Sequence, residues 1–388
     1  MLPRRDFLAR AGAIAAAGTA ASSTAPVGRA AEERPDLAGD WGAVRDQFAL
    51  SPDHIHMSAL LISSHPKPVR DAIEEHRRGL DADPVAYLQE NNSRLKEEAL
   101  AAAGGYLGVA GSDVALTEST TMGIGLVYNG LRLGPGQEIL TTEQDYYVTH
   151  EAVRLAAERS GASARRISLY ERIDGVSADG MVARIRDGIG AATRVLALTW
   201  VHSSTGLKLP LRQIADALDQ INAGRDEPDR VLFCVDGVHG FGNQDVELSD
   251  LGCDLFAAGC HKWLFGPRGT GILAGTARGW AALLPTIPSF LDDGTWHAWL
   301  TDSDPEGPTT ASAMTPGGFK AFEHRWALAP AFAFHQEIGK GRVAARTHEL
   351  AGQLKEGLAT MPPVTLHTPR ADALSAGIVS FDVAGWSP

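Results

Sequence analysis

The sequence predicts an α/β fold in which a mostly parallel sheet is covered by helices on both faces. From about residue 66 to residue 275, short apolar segments alternate with longer amphipathic segments of helical period. Apolar segments without regular polar alternation are typical of parallel strands that are buried on both faces. Four of them end at Thr117, Thr142, Asp236 and Gly259. Because ligands bind beyond the carboxyl ends of parallel strands, functional residues are expected just after these positions.

The predicted elements follow one another in a regular order. Pro66 and Pro68 open the first helix, since proline is tolerated in a first turn, and Gly104-Gly105 end the second. Helices are predicted over residues 66–80, 91–103, 122–131, 148–160, 211–222 and 327–358. Strands are predicted over residues 114–117, 138–142, 194–201, 271–274 and 377–383, with two more that end at residue 236 and near residue 259.

Changes in composition divide the chain into four parts. Residues 1–31 are expected to be an export signal. Residues 32–65 are expected to be an N-terminal segment that joins a small domain, and residues 66–310 to form the large domain that carries the ligand site. Residues 311–388 contain helix and one strand, which predicts the start of a small α+β domain that is incomplete at the C-terminal end of this sequence.

The first 31 residues resemble a twin-arginine export signal. Arg4 and Arg5 precede a weakly apolar stretch rich in alanine and glycine, and Gly28-Arg29-Ala30 offers a small-x-small cleavage pattern. The apolar stretch is too short and too weakly hydrophobic for a membrane span. We therefore expect an exported protein of the periplasm or cell envelope.

Charge and motif content argue against several function classes. The net charge of −12 disfavours a surface for nucleic acid or for an anionic membrane. The sequence has no Cys-x-x-Cys pair, and His54 and His56 lack a carboxylate or cysteine partner at helical spacing, so no metal site is predicted. No G-x-G-x-x-G lies between a strand and a helix, which disfavours an NAD-dependent oxidoreductase.

A lysine and an aspartate stand at the ends of neighbouring apolar strands. Asp236 ends one strand, and Lys262 follows the next strand along the chain. A lysine amine can form an imine with an aldehyde, and a carboxylate can keep a pyridine nitrogen protonated so that the ring withdraws electrons. The pair therefore predicts a site for pyridoxal 5′-phosphate (PLP) and a small-molecule amino acid or amine substrate.

Four motifs in this order resemble the class V aminotransferase family of PLP enzymes, which have fold type I. They are Asp145-Tyr146, His202-Ser203-Ser204-Thr205, Asp236-Gly237-Val238-His239 and His261-Lys262-Trp263-Leu264. The likeness covers roughly residues 50 to 388. It is strongest to the isopenicillin N epimerase-like branch of the family, and the cysteine desulfurase-like branch is also similar. It implies a large PLP-binding domain, a smaller α+β domain and a homodimer with sites at the subunit interface.

The resemblance implies roles for residues around the cofactor ring. Lys262 matches the Schiff-base lysine, and Asp236 matches the partner of the pyridinium nitrogen; these two are the expected catalytic residues. His239 is similar to the family residue that binds the phenolic oxygen. Tyr146 stands where the family places a ring that stacks on the pyridine, and Ser203 stands near the cofactor oxygen.

The phosphate end is predicted at the start of a helix. Thr120 and Thr121 directly precede the predicted glycine-containing helix, at whose start free backbone N–H groups and hydroxyls attract a dianion. His261, the residue before the lysine, is similar to a histidine that contacts the phosphate in the family. These three residues complete the predicted cofactor site.

The chain departs from the family pattern at three places. Gly259 stands where desulfurases carry a serine, so one phosphate hydroxyl is missing. Phe322-Glu323 is followed by His324-Arg325-Trp326 instead of the Gly-Thr pair that reaches the partner's phosphate. The arginine that holds the substrate carboxylate in the family would lie beyond residue 388, so either the protein continues past this sequence or its substrate is held differently.

The leading functional hypothesis is a PLP-dependent enzyme that acts at Cα through a Lys262 Schiff base, as an epimerase or an aminotransferase. The alternative is a C–S β-lyase or desulfurase-like enzyme without a persulfide cysteine, since no cysteine follows Cys260. A PLP-binding protein without turnover is a further alternative, because of the missing substrate arginine and the altered segment after Glu323.

Overall fold

A seven-stranded sheet forms the centre of the protein in the computed structural model, which describes residues 35–387. Its strands are β1 (Val114–Thr117), β2 (Glu138–Thr142), β3 (Ser163–Ile167), β4 (Thr193–Thr199), β5 (Leu232–Asp236), β6 (Leu255–Gly259) and β7 (Gly271–Gly275). They are arranged in the order β1-β7-β6-β5-β4-β2-β3. Strand β7 is antiparallel to its neighbours β1 and β6, and the other neighbouring pairs are parallel. The predicted fold class is confirmed.

Helices cover both faces of this sheet. They are α1 (Trp41–Arg45), α2 (Lys67–Ala82), α3 (Pro84–Leu107), α4 (Thr120–Gly130), α5 (Tyr147–Ser160), α6 (Ala178–Gly188), α7 (Leu211–Asn222), α8 (Leu248–Leu251), α9 (Ala277–Ala281), α10 (Asp293–Thr301), α11 (Phe322–Trp326), α12 (Leu328–Ile338) and α13 (Lys340–Ala359). A separate antiparallel pair is formed by β8 (Val364–Leu366) and β9 (Phe381–Val383).

Alternate residues of the central strands face two hydrophobic layers. On one face, the strand side chains pack with helices α3, α7 and α12; they include Leu140, Leu196, Leu198, Phe233, Val235 and Phe256. On the other face, they pack with α4 and α5; they include Ile139, Val195, Ala197, Cys234, Leu255 and Ala257. Burial on both faces explains why these strands are almost wholly apolar in sequence.

The second helix is longer than predicted. Helix α3 continues through Gly104 and Gly105 and ends at Leu107, with Gly108 as its C-cap at a φ of +72°. A Cβ at Gly104 would lie 2.7 Å from the backbone nitrogen of Gly111, so this glycine serves the close approach of the next loop. Glycine at position 104 therefore indicates packing and not helix termination.

The predicted helix over residues 327–358 is two helices. Gly339, with a φ of +96°, separates α12 from α13, and the left-handed region is readily available only to glycine. The final predicted strand is also shorter, since β9 has three residues. The edge strand β3 and helix α6 were not predicted, because β3 is exposed and polar and gives no apolar signal.

The packing of the helices does not establish the predicted domain boundaries. Helices α11 and α12 pack against α2 and α3, and Leu328 and Phe332 belong to one layer of the sheet's core. The division of residues 66–310 from residues 311–388 therefore stays a prediction. The predicted export signal, residues 1–31, lies outside the described residues. Between residues 35 and 387, no helix combines the length and apolar character needed to cross a bilayer.

Candidate functional site

The sheet topology gathers the predicted functional residues at one edge. Because β1 and β6 are both antiparallel to β7, they run parallel to each other and to β2, β4 and β5. The carboxyl ends of all five strands therefore meet at the same edge. The segments that follow them line one cavity of about 370 Å³, and its lining includes all eight predicted residues: Thr120, Thr121, Tyr146, Ser203, Asp236, His239, His261 and Lys262.

Lys262 lies three residues beyond β6 and is half-buried in this cavity. Its Nζ lies 3.4 Å from Nε2 of His239. Burial lowers the pKa of Lys262 because it disfavours the ammonium form, while the nearby carboxylate of Asp236 acts in the opposite direction. The lowered pKa increases the fraction of neutral amine, which is the nucleophilic form.

Ser63 holds the backbone of the lysine loop. Its hydroxyl donates to the carbonyl oxygens of His261, at 3.0 Å, and Lys262, at 2.7 Å. Its backbone N–H donates to the same oxygen of His261, at 3.1 Å. No motif or periodicity marks Ser63 in the sequence, so sequence reasoning missed this contact.

Asp236 is the last residue of β5, and only 4% of its surface is exposed. Its Oδ1 accepts a hydrogen bond from the backbone N–H of Val238 at 3.1 Å. Burial raises the pKa of Asp236 to about 6, although this hydrogen bond and the charge of Lys262 oppose the change. A buried carboxylate of this kind is stabilised by a cationic N–H partner, and a protonated pyridine nitrogen has that chemistry.

His239 lies between Lys262 and the indole of Trp263. Its Nδ1 accepts a hydrogen bond from Nε1 of Trp263 at 3.4 Å. Burial lowers the pKa of His239 to about 3, and the charges of Lys262 and His261 act in the same direction. The ring is therefore neutral at physiological pH.

The start of helix α4 provides an anion-binding end to the cavity. Ser119 caps the helix by accepting from the backbone N–H of Met122 at 3.1 Å. The backbone N–H groups of Thr120 and Thr121 belong to the first turn, where no carbonyl within the helix can accept from them. The positive end of the helix dipole adds to the attraction for a phosphate at this position.

Thr120 and Gly259 explain one departure from the family pattern. The hydroxyl oxygen of Thr120 accepts from the backbone N–H of Gly259 at 2.7 Å, so its proton is available to an anion. A Cβ at Gly259 would lie 3.1 Å from that oxygen and 3.0 Å from Cε1 of His261. The two side chains thus occupy the space beside Gly259. Nδ1 of His261 is buried and has no protein partner among the described residues.

Tyr146 and Ser203 complete the cavity on the side of β2 and β4. Tyr146 immediately precedes α5 and lines the cavity, whereas its neighbour Tyr147 does not. Below it, the buried carboxylate of Asp145 accepts hydrogen bonds from Thr141, Thr142 and the backbone N–H of Thr199. These bonds connect β2 to β4 and fix the segment from which Tyr146 projects.

Apolar side chains that the sequence did not indicate cover part of the cavity wall. They come from the N-terminal segment, from α4 and α5 and from the loop after β5: Leu60, Leu61, Ile124, Val148 and Val238. The N-terminal segment has no regular periodicity, so its two leucines could not be assigned to the site in advance. They make part of the wall beside the amine and the carboxylate apolar.

The segment that replaces the family's Gly-Thr pair is helical. Arg325, on α11, lies 3.5 Å from the carboxylate of Glu118, which also pairs with Lys320. Glu118 directly precedes the helix cap Ser119. This segment therefore packs against the outer side of the anion-binding turn.

The donors and acceptors around the cavity match the chemistry of PLP. The N-terminus of α4 and the unpartnered Nδ1 of His261 suit a phosphate. Lys262 suits an aldehyde, and the buried Asp236 suits a pyridinium. Between residues 35 and 387, no group of three or more His, Cys, Asp or Glu side chains is placed to hold a metal ion.

Comparisons with known proteins agree with this chemistry. Residues 63–388 match the family model described as aminotransferase class-V. Isopenicillin N epimerase of Streptomyces clavuligerus is 27% identical over 350 residues, which span 88% of this chain and 84% of the epimerase. The isopenicillin N epimerase of Amycolatopsis lactamdurans is 28% identical over 357 residues, 89% of this chain and 85% of that one.

Solved structures share the fold. A mutant of C-DES with glycine covalently linked to its PLP cofactor superposes with a TM-score of 0.77 at 23% identity, over 87% of this chain and 86% of that one. The apo cysteine desulfurase of Thermococcus onnurineus gives a TM-score of 0.75 at 21% identity, over 90% of this chain and 83% of that one. The chain therefore belongs to the class-V aminotransferase family and is a PLP-dependent enzyme of fold type I.

Proposed function

We propose that the protein acts at the Cα of an amino acid or amine, as an epimerase or an aminotransferase. One observation carries this proposal: Lys262, His239 and Asp236 line one cavity, in which an amine of lowered pKa interacts with a buried carboxylate. When bound, PLP supplies an aldehyde for amines and a ring that withdraws electrons from Cα. The two isopenicillin N epimerase relatives support the epimerase chemistry.

The proposed roles of the cavity residues follow from their positions. Asp236 would hold a proton on the ring nitrogen, and His239 and Ser203 would bind the phenolic oxygen. Tyr146 would cover one face of the ring. The phosphate would be held at the start of α4 by Thr120 and Thr121, together with His261.

Lys262 would also carry the proton at the reacting carbon. In its neutral form the amine can accept a proton from Cα, and the ammonium so formed can return it. Return of the proton by Lys262 to its own face would restore the starting configuration, so epimerisation would also need a second acid on the opposite face. Transamination would instead follow if Lys262 donated the proton to the aldehyde carbon that PLP would supply.

A C–S lyase is the second candidate, and a curated relative supports it. A probable cysteine desulfurase of Halalkalibacterium halodurans is 25% identical over 286 residues, 71% of this chain. A persulfide-forming reaction needs an accessible thiolate, however, and the cysteines at 234, 253 and 260 are free but buried. Burial raises the pKa of Cys260 to about 12. The second candidate is therefore a C–S lyase that acts without a persulfide-forming cysteine.

Incubation with a panel of amino acids in deuterated water would test the proposal. Deuterium at Cα without keto acid supports epimerisation, and keto acid formation supports transamination. Sulfide release from cysteine or cystine would favour the lyase instead. If the absorbance of the PLP-loaded protein did not respond to any amine and no exchange occurred, the protein would bind PLP without turnover and the proposal would be wrong.

Replacement of Thr120 by valine is expected to weaken PLP binding. The change removes a hydroxyl proton available to the phosphate and also the acceptor for the N–H of Gly259. Loss of one hydrogen bond to a charged group corresponds to roughly a 10- to 100-fold rise in dissociation constant. Fluorescence titration of the apo protein with PLP measures this rise. Thr295→Val, on helix α10 and outside the cavity lining, is the control and should leave the affinity unchanged.

The proposed assembly is a homodimer and the proposed location is the periplasm or cell envelope. Family resemblance supports the dimer, and sedimentation of the purified protein would test it. The paired arginines at residues 4 and 5 support export. Retention of the precursor in the cytoplasm after both are replaced by lysine would test the location.

A further inference from the structure

Trp263 contacts the site through a group that can only donate. Its indole Nε1–H points at Nδ1 of His239, with 3.4 Å between the two nitrogens. An indole nitrogen has no acceptor capacity, so Nδ1 of His239 must accept. A neutral imidazole carries one proton, and that proton is consequently on Nε2.

Nε2 is the ring nitrogen that faces Lys262, at 3.4 Å from Nζ. A neutral amine has a lone pair that can accept from this N–H. An ammonium has three donors and no acceptor, so it gains no hydrogen bond from this tautomer. The tautomer that Trp263 selects therefore favours the neutral form of Lys262.

We propose that Trp263 is a positioning residue that holds His239 as the Nε2–H tautomer, so that His239 presents a donor to Lys262 and to the cavity. This inference deepens the proposed function and assigns to Trp263 a role in preparing the nucleophile. The chain of contacts runs from an indole outside the cavity, through His239, to the amine inside it.

A second contact fixes the indole. A Cβ at Gly377 would lie 2.7 Å from Cη2 and 2.8 Å from Cζ3 of Trp263, so the backbone of residue 377 packs directly against the ring. Any larger residue there would have to displace the indole. The C-terminal segment thereby sets the direction in which Nε1–H points.

The test uses the cofactor-free protein, so that it does not depend on PLP chemistry. Trp263→Phe keeps an aromatic ring and removes the donor. Long-range proton–nitrogen NMR of labelled histidine reports which ring nitrogen of His239 carries the proton. We expect the Nε2–H tautomer alone in the parent protein and a mixture of both tautomers in the variant.

The second readout is the pH profile of Lys262 acylation, followed by peptide mass spectrometry. The titratable groups that line the cavity with Lys262 are Asp236 at the end of β5, His239, His261 on the same loop as Lys262, and Tyr146 before α5. Below the midpoint of the profile, the neutral fraction of the Lys262 amine should be roughly fivefold lower in Trp263→Phe than in the parent protein. A fivefold change corresponds to the loss of one neutral hydrogen bond. The corresponding midpoint should therefore move to higher pH.

Trp326→Phe is the matched control. Trp326 is buried, and its Nε1 has no hydrogen-bond partner among the described residues. Its replacement removes the same atoms without removing a donor to a histidine, so both readouts should stay at parent values. A His239 that carries its proton on Nδ1 in the parent protein would overturn the proposal. So would a Trp263→Phe variant that matches the control in both readouts.

Failure of the proposed function would look different. If the protein does not turn over amines, the tautomer and the acylation profile still respond to Trp263→Phe as described. If only the positioning role is wrong, exchange at Cα persists while the NMR and acylation readouts do not change.

Discussion

Replacement of Lys262 by alanine is expected to abolish exchange at Cα, by roughly 100- to 10,000-fold or more, the range of a positioned acid–base group. The variant loses both the amine that binds the aldehyde and the group that carries the proton. Lys262 is half-buried, and its side chain makes one hydrogen bond, to His239. The fold should therefore tolerate its removal.

Two further variants sharpen this prediction. Lys262→Arg keeps a positive charge but provides no neutral amine at any accessible pH, so it should be as inactive as alanine. Lys67→Ala removes an exposed lysine that pairs with Asp71 on α2, and activity should be unchanged. Deuterium incorporation at Cα is the measurement, and retention of exchange in Lys262→Ala would show that another group acts at this carbon.

Replacement of Asp236 by asparagine is expected to have opposite effects on activity and on stability. Asparagine is nearly isosteric but has no charge, so it cannot hold a proton on the ring nitrogen. Turnover should fall by about 100-fold or more, comparable to the loss of a general acid–base group. The cofactor-free variant should nevertheless be more stable than the parent at neutral pH, because a buried carboxylate without a cation is costly.

The sign of this stability change follows from the pKa of Asp236. Burial raises it from 3.8 to about 6, so the folded state binds a proton more tightly than the unfolded state. The parent therefore loses stability as pH rises from 4 to 6 and carries the full penalty above that range. A shift of this size corresponds to about 3 kcal/mol as an order of magnitude. The asparagine variant should lack this pH dependence.

Asp254→Asn provides the contrasting control for thermal unfolding. Asp254 is also buried, but its carboxylate is paired with Arg278 through hydrogen bonds of 2.9 and 2.6 Å. Loss of its charge leaves Arg278 without its partner, so this variant should be destabilised. If both asparagine variants changed the melting temperature in the same direction, the account of Asp236 as an unpaired buried charge would be wrong.

The sequence indicated the site well because topology places it. An apolar strand can be recognised by composition, and the residue after it is then located at the functional edge of a parallel sheet. This reasoning found Asp236 and Lys262, and resemblance to the family added Tyr146 and His239. All of them line the observed cavity.

Other parts could not be predicted, and the reason is physical in each case. Ser63 acts through two backbone carbonyls, a role that any small donor in an irregular segment could fill. Strand β3 is exposed at the sheet edge, so its residues are polar and give no signal. Gly104 lies within a helix because of a tertiary contact, which local propensity does not include.

The contact between Ser63 and the lysine loop joins residues that are 198 and 199 positions apart. Contacts of such long range form late, because the chain entropy of closing a loop of that length must be overcome first. Helical signal should consequently return before cofactor absorbance when the denatured chain is diluted into buffer with PLP. The ability to capture PLP is then a marker of completed folding.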